Sequence, residues 1–288
     1  MSNGIGLRQN EEHSIEMLAA QRELYREAKI FNYLSVSMSV WIPFVLSIVL
    51  LFIPAYSPLG GVSYILSITS AILSFITDKV IRDKKKLAAM IQQKFDIYVY
   101  RMPWDERIFG KNKNLNDQIV TYSKRILNTY QERESLTNWY ASSIDEKEIN
   151  EAILACQREN VCWDVGLRKR FVKGIALIII LLCTLVFIMG IVRNESIIRL
   201  LWRLAFVAPM VKWLLSTVSQ LRIDINDLDE LDNSINESTI KSMEDLQDIQ
   251  KCIFDHRTKS YIIPDFFYKL FKDSDEDRMS RIASMNRE

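Results

Sequence analysis

Apolar residues gather in four blocks along the chain, at roughly 33–54, 59–80, 171–192 and 197–218, and the charged positions fall between them. A bilayer core is crossed by about 20 mostly apolar residues in a helix. "GIALIIILLCTLVFIMGIV", inside the third block, carries neither charge nor proline and reads directly as a span. The first block, "YLSVSMSVWIPFVLSIVLLFIPAY", is nearly as plain, and the second is shorter and rich in serine. The fourth is interrupted by Arg199, Arg203 and Lys212, with Pro209 among them. "AYSPLGG" joins the first pair of blocks and "RNES" the second, each just long enough to turn a helix around. About thirty mostly polar residues precede the first block and no small-residue cleavage site follows it, so it is expected to be a retained span and not a signal peptide.

Between the blocks the pattern is also helical. In "HSIEMLAAQRELYREAKIFNYL", residues Ile15, Leu18, Ala19, Arg22, Tyr25 and Lys29 recur at three- and four-residue spacing. The second block continues into "RDKKKLAAMIQQKFDIYVY" without a breaker until Pro103, and "PWDERIFGKNKN" reads as a loop. A helix is expected over 115–133. Ser143 with Glu146 suggests a capping box for a helix that runs on into the third block. Leu221, Ile225, Leu228, Leu231 and Ile235 form one later stripe. Ile240, Met243, Leu246, Ile249 and Ile253 form another, closed by Pro264.

The expected fold is therefore all-α: a membrane protein with four transmembrane helices in two hairpins, extending into a cytosolic helical bundle. Its parts are an amphipathic lead (1–32), the first hairpin (33–80), a central cytosolic region (81–170), the second hairpin (171–218) and an acidic cytosolic tail (219–288). Helices shared between membrane and cytosol offer a way for a cytosolic event to move the spans.

Charge sets the orientation. "RDKKK" follows the second block and "LRKR" precedes the third, whereas "AYSPLGG" is uncharged. The positive-inside bias places both termini and the central region in the cytosol, with Arg193 a mild exception. Residues 82–170 carry 17 Lys and Arg against 13 Asp and Glu; residues 219–288 carry 10 against 16. A basic middle and an acidic tail can pair within one subunit or between subunits, or simply form solvated faces.

Candidate chemistry is sparse. The sequence contains no GxxxxGK[ST], GxGxxG, HExxH or GxSxG, so no enzyme is expected. Two histidines and four cysteines without a CxxC pair argue against a zinc site, and the cysteines read as free thiols in a reducing compartment. "DINDLDELD" lacks the glycine that a calcium loop needs at its turn.

Two patterns inside the blocks remain. Ser63, Ser67, Ser70, Ser74 and Thr77 follow a four-three-four-three spacing that puts five hydroxyls on one helix face. Such a face suits close helix packing, at about 1 kcal/mol or less per hydroxyl, or the wall of an aqueous path in an oligomer. Arg203 lies about six residues from the outer end of its block, roughly 9 Å at the helical rise. Arg199, Arg203 and Lys212 are then either snorkelling anchors or marks of a helix that faces water or other subunits, with Pro209 as its hinge.

Several segments resemble one family. "LAAQRELYREAK" (18–29), "NWYASSID" (138–145), "CQRENVCWDVGLRKRF" (156–171) and "IPDFFYKLF" (263–271) are similar to the SMODS-associated four-transmembrane effectors, as is the order of spans and soluble parts. The resemblance covers nearly the whole chain. It implies a bacterial anti-phage effector of the inner membrane, activated by a cyclic oligonucleotide from a partner nucleotidyltransferase, with no other cofactor and no DNA or RNA partner. Such an effector disrupts the membrane and kills the infected cell. One four-helix unit has little room for an aqueous path, so a homo-oligomer is expected. A housekeeping channel or transporter, or a membrane-anchored scaffold, are the alternatives. Phosphates call for cations and bases for flat groups. Within the matching segments these are Trp139, Tyr140, Arg158, Trp163, Arg168 and Arg170.

Overall fold

The computed structural model describes residues 2–42, 45, 59–192, 196–236, 242–267 and 270. The side chains at 59–64, 66–68, 70, 71, 74, 186, 189, 190 and 197–209 lie outside that description as well. Among the described residues every regular element is helical. The chain forms α1 (Ile5–Gln9), α2 (Glu12–Val36) with a π-helical turn (Ser37–Trp41), α3 (Leu59–Tyr100), α4 (Glu106–Phe109), α5 (Leu115–Ile126) and α6 (Tyr130–Glu134). A 3₁₀ turn (Ser142–Glu146) leads to α7 (Ile149–Val192), α8 (Ile197–Asn236) and α9 (Met243–Lys259).

Three helices carry the architecture, and each joins an apolar block to a polar extension. α3 runs through the second block and on to Tyr100, where Arg101 turns left-handed at φ 59° and stops it two residues ahead of Pro103. α7 and α8 cross from polar to apolar sequence in the same way, and α8 is continuous through position 209. α2 packs along α3, α5 covers α2, and α7 packs along α8. α9 then lies across α3, α7 and α8 and ties the two pairs into one bundle.

The main core sits at the polar end of the bundle, around Leu18, Leu24, Ile91, Phe95 and Ile153, all fully buried. Each such side chain contributes about 1.5–3 kcal/mol by leaving water. A second cluster, Leu167, Phe171, Leu214, Leu221, Ile263 and Phe267, seals the junction where α7 and α8 meet the segment 261–267. Phe171 stacks on Tyr261 at 6.2 Å and meets Phe267 edge-on at 4.9 Å. Val161, Leu228, Leu231, Ile235, Ile249 and Ile253 form a third cluster, so both tail stripes face the bundle.

Two sequence expectations are corrected. The helix expected over 115–133 is broken at 127–129, because Thr129 is extended and its hydroxyl accepts from the Glu132 N–H to start α6 anew. The expected Ser143–Glu146 capping box is absent; the segment forms a 3₁₀ turn, and α7 begins only at Ile149. That turn is pinned from the N-terminus, where Asp145 accepts from the Gly6 N–H at 2.9 Å. A Cβ on Gly6 would stand 2.2 Å from the same carboxylate, so any side chain there would force Asp145 to shift.

Among the described residues, no helix is long and apolar enough to cross a membrane. Each of the four apolar blocks includes positions outside the description, and the first falls largely outside it. Within α7, however, Ile178, Ile180, Leu181, Phe187, Ile188 and Val192 are all exposed. Adjacent residues differ by about 100° around a helix axis, so exposure at 180 and 181, and again at 187 and 188, means that more than one face is uncovered. The exposed Ile65, Ile72, Phe75 and Ile76 mark the corresponding part of α3.

Candidate functional site

The polar end of the bundle contains two buried networks and a pocket. The first network centres on Asp96 of α3, which has no solvent exposure. Its Oδ1 accepts from the Tyr140 hydroxyl at 2.8 Å. Its Oδ2 accepts from Gln250 Nε2 at 3.0 Å and from Arg257 Nη1 at 2.5 Å, both on α9. The Tyr140 hydroxyl in turn accepts from Tyr100 at 2.8 Å and from Asn160 at 3.1 Å. Burial, reinforced by the neighbouring carboxylate, pushes the Tyr140 phenol well above its usual range, and burial does the same for Tyr100 and Cys156. All three stay neutral at physiological pH and serve the network as hydrogen-bonding groups. The "NWYASSID" segment is positioned from the N-terminus: Asn138 is left-handed at φ 52°, its N–H donates to Asn10, and the Tyr140 N–H donates to Gln9 at 2.7 Å.

The second network lies nearer the apolar half. Arg168 of α7 donates from Nη1 to Asp224 of α8 at 2.6 Å and to the Tyr261 carbonyl at 3.1 Å, and its Nε sits 3.0 Å from Asp164. His256 Nε2 meets the other oxygen of Asp164 at 2.7 Å. Burial works against the Asp164 charge, but Arg168 and His256 outweigh it and hold the carboxyl far below its usual range. Lys85 of α3 donates to the Ser260 carbonyl at 2.7 Å, and burial drives its ammonium down to about 8. Four segments distant in sequence are thus joined by charge at one level of the bundle. Two pairs join the basic middle to the acidic tail within the chain, Arg168 with Asp224 at 2.6 Å and Lys169 with Asp229 at 2.8 Å.

The pocket, about 370 Å³, opens between the loop 102–110 and α9. Its walls include Gln93, Ile97, Met102, Trp104, Phe109 and Gln250. The loop is fixed by Trp104, whose indole N–H donates to the Gly110 carbonyl at 2.9 Å, and by Phe109, edge-on to Phe254 at 5.1 Å. Gly110 closes the short α4 at φ 85° and ψ 177°, a positive-φ extended conformation open essentially to glycine alone. Gln93 is fully buried; its Oε1 accepts from Gln250, while its Nε2 has no hydrogen-bond partner.

The six ligand candidates read from the sequence do not converge. Tyr140 and Arg168 are buried members of separate networks. Trp139 packs edge-on to Phe95 at 6.4 Å, Arg158 is exposed, and Trp163 and Arg170 are partly buried on α7. None of the six lines the pocket. The pocket residues give no signal in the sequence, because Trp104 and Phe109 lie in a segment that reads only as a loop. Of the hydroxyl stripe, Thr77 is buried and donates to the Leu73 carbonyl at 2.9 Å; the side chains of Ser63, Ser67, Ser70 and Ser74 lie outside the described residues. So do those of Arg199, Arg203 and Pro209, whereas Lys212 is exposed on α8. Among the described residues no His, Cys, Asp and Glu cluster has the makings of a metal site.

Residues 3–285 match the family model of the SMODS-associating 4TM effector domain. The chain belongs to that family. A relative from Bacillus cereus strain VD146, described as a probable CBASS effector molecule, is 26% identical over 96% of this chain and 95% of its own length. No solved structure matches the chain. For this member of the 4TM effector family, the arrangement offers a pocket and two buried networks of charged and polar side chains.

Proposed function

We propose that the chain is an anti-phage effector that crosses a bacterial inner membrane four times, termini in the cytosol, and permeabilises it when a cyclic oligonucleotide from a partner nucleotidyltransferase binds. The observation that carries the proposal is the division of α7. Its first half is packed into the bundle through Ala152, Ile153, Cys156 and Val161. Its second half exposes isoleucine, leucine and phenylalanine on more than one face. An apolar surface of that kind is stable against lipid and not against water. Family membership and the Bacillus relative support the defence role.

The division also suggests how the signal travels. Ligand-induced change at the polar end reaches the spans through α3, α7 and α8, which are single helices from one end to the other. The Arg168 network couples these helices where they enter the apolar half. The lipid-facing helices of several copies would then rearrange around the hydroxyl face of the second span and the cationic fourth span.

Dye-loaded liposomes of bacterial lipid, reconstituted with the full chain, test the proposal. Release is expected on addition of an activating cyclic oligonucleotide and not before. Replacing Ser67 and Ser70 with Leu is expected to reduce release several-fold if the hydroxyl face lines the path. No release with any cyclic di- or trinucleotide would overturn the effector function and favour a scaffold. Release without a nucleotide would favour a constitutive channel.

A further inference from the structure

We propose that the pocket between the loop 102–110 and α9 receives a nucleobase, with an adenine edge read by glutamine amides and the phosphates left at the mouth. The assignment rests on the ligand-activated function proposed above and gives it a location. Its anchor is Gln93. The side chain is fully buried, lines the pocket, and leaves an amide N–H₂ without an acceptor. A buried donor left unmade is costly, so a ligand bearing an acceptor recovers at this position what the free protein forgoes.

The rest of the wall narrows the ligand class. Gln247 lines the same pocket, and a glutamine amide matches the donor–acceptor pair on an adenine edge with two hydrogen bonds; Gln250, also in the wall, is committed within the chain, its Nε2 to Gln93 and Asp96 and its Oε1 to Gln157. Trp104 and Phe109 supply flat apolar surface for an aromatic ring. The volume falls within the range of small-molecule sites. A phosphate is not the group the interior selects. The nearby cations are already engaged at the rim, Arg107 beside Asp105 at 3.6 Å and Lys251 with Asp248 at 2.8 Å, and Glu106 adds a further carboxylate.

The pocket is wired to the first network. Gln250 Nε2 is shared between Gln93 Oε1 and Asp96 Oδ2, each at 3.0 Å. A base that draws on the Gln93 amide therefore acts two hydrogen bonds away, through Gln250, from the carboxylate that holds Arg257 and Tyr140. That is a direct path from ligand to α9, the helix that bridges the two halves of the bundle.

Titration calorimetry on the full chain in detergent, with cyclic diadenylate as the probe, tests the assignment. Wild type is expected to bind it, adenosine to compete and inorganic phosphate not to. Trp104→Ala is expected to weaken binding about ten-fold or more through lost stacking. Gln93→Met is expected to weaken it by a similar factor while leaving the melting temperature nearly unchanged, since it removes an unpaired donor together with the acceptor of one Gln250 N–H, whose nitrogen keeps its bond to Asp96. Gln93 lies outside the loop, so this variant keeps the test decisive even if Trp104→Ala loosens 102–110. Unaltered affinity in both variants, competition by phosphate alone, or no binding to wild type would overturn the assignment. If both variants still release dye at wild-type cyclic diadenylate concentrations, the pocket is wrong and the effector function stands. If no nucleotide releases dye from wild type, the effector function fails first.

Discussion

Asp96→Ala is expected to destabilise the bundle by about 3–5 kcal/mol, the usual cost of removing one partner from a buried charge pair. Asp96 is fully buried and is the carboxylate facing the Arg257 guanidinium at 2.5 Å. Deleting it strands that charge, leaves the Tyr140 hydroxyl without its acceptor and frees one of the two bonds of Gln250 Nε2. Replacing both partners with apolar groups, as in Asp96→Leu with Arg257→Met, is expected to recover part of the loss, because no buried charge is then left unpaired. Denaturant unfolding of the single and double variants checks this. A loss below about 1 kcal/mol in Asp96→Ala would show that the network is solvated and does not organise the core.

Glu159→Gln is expected to stabilise the protein in alkaline solution and to do little in acid. Burial raises the Glu159 carboxyl to about 7, against a backbone hydrogen bond from Ala141 that lowers it. The folded state therefore holds this proton more tightly than the unfolded chain does. Stability from this group is intact below the ordinary carboxylate range and is lost as pH rises from about 4.5 to 7. A tenfold change in proton affinity between the folded and unfolded chain is worth about 1.4 kcal/mol, so the penalty at pH 8.5 approaches about 3 kcal/mol. Glutamine is neutral throughout and escapes it. The expected gain is about 2–3 kcal/mol at pH 8.5 and less than about 1 kcal/mol at pH 5, read from unfolding midpoints at the two pH values. An equal gain at both would show that the carboxylate is not the cause.

The helices are legible because their signals are local and repeated. The uninterrupted run after the second block gives α3 through to its end near Pro103, and the stripe of Leu246, Ile249 and Ile253 gives the buried face of α9. The interruption at 127–129 is not legible, because it depends on the Thr129 side chain accepting from Glu132, and a threonine is compatible with either continuation or a cap. α7 starts later than its sequence suggests because Asp145 bonds to Gly6, a partner 139 residues away. The networks are hidden for the same reason. Asp96, Gln93 and Gln157 look like solvated positions in sequence, and only the approach of α9 buries them. Conversely, Tyr140 and Arg168 have the chemistry of ligand contacts but are held by partners within the chain. A pocket assembled from a loop and a helix about 150 residues apart leaves no periodic trace.

The central claim is that the chain crosses lipid four times with both termini in the cytosol. Accessibility of single cysteines to a membrane-impermeant maleimide, in intact spheroplasts and again after lysis, tests it most directly. Ser57→Cys and Asn194→Cys, in the two short connections between blocks, are expected to label in intact spheroplasts; Ser2→Cys and Ser284→Cys are expected to label only after lysis. Labelling of either terminal position from outside, or protection of both turns until lysis, would contradict the account.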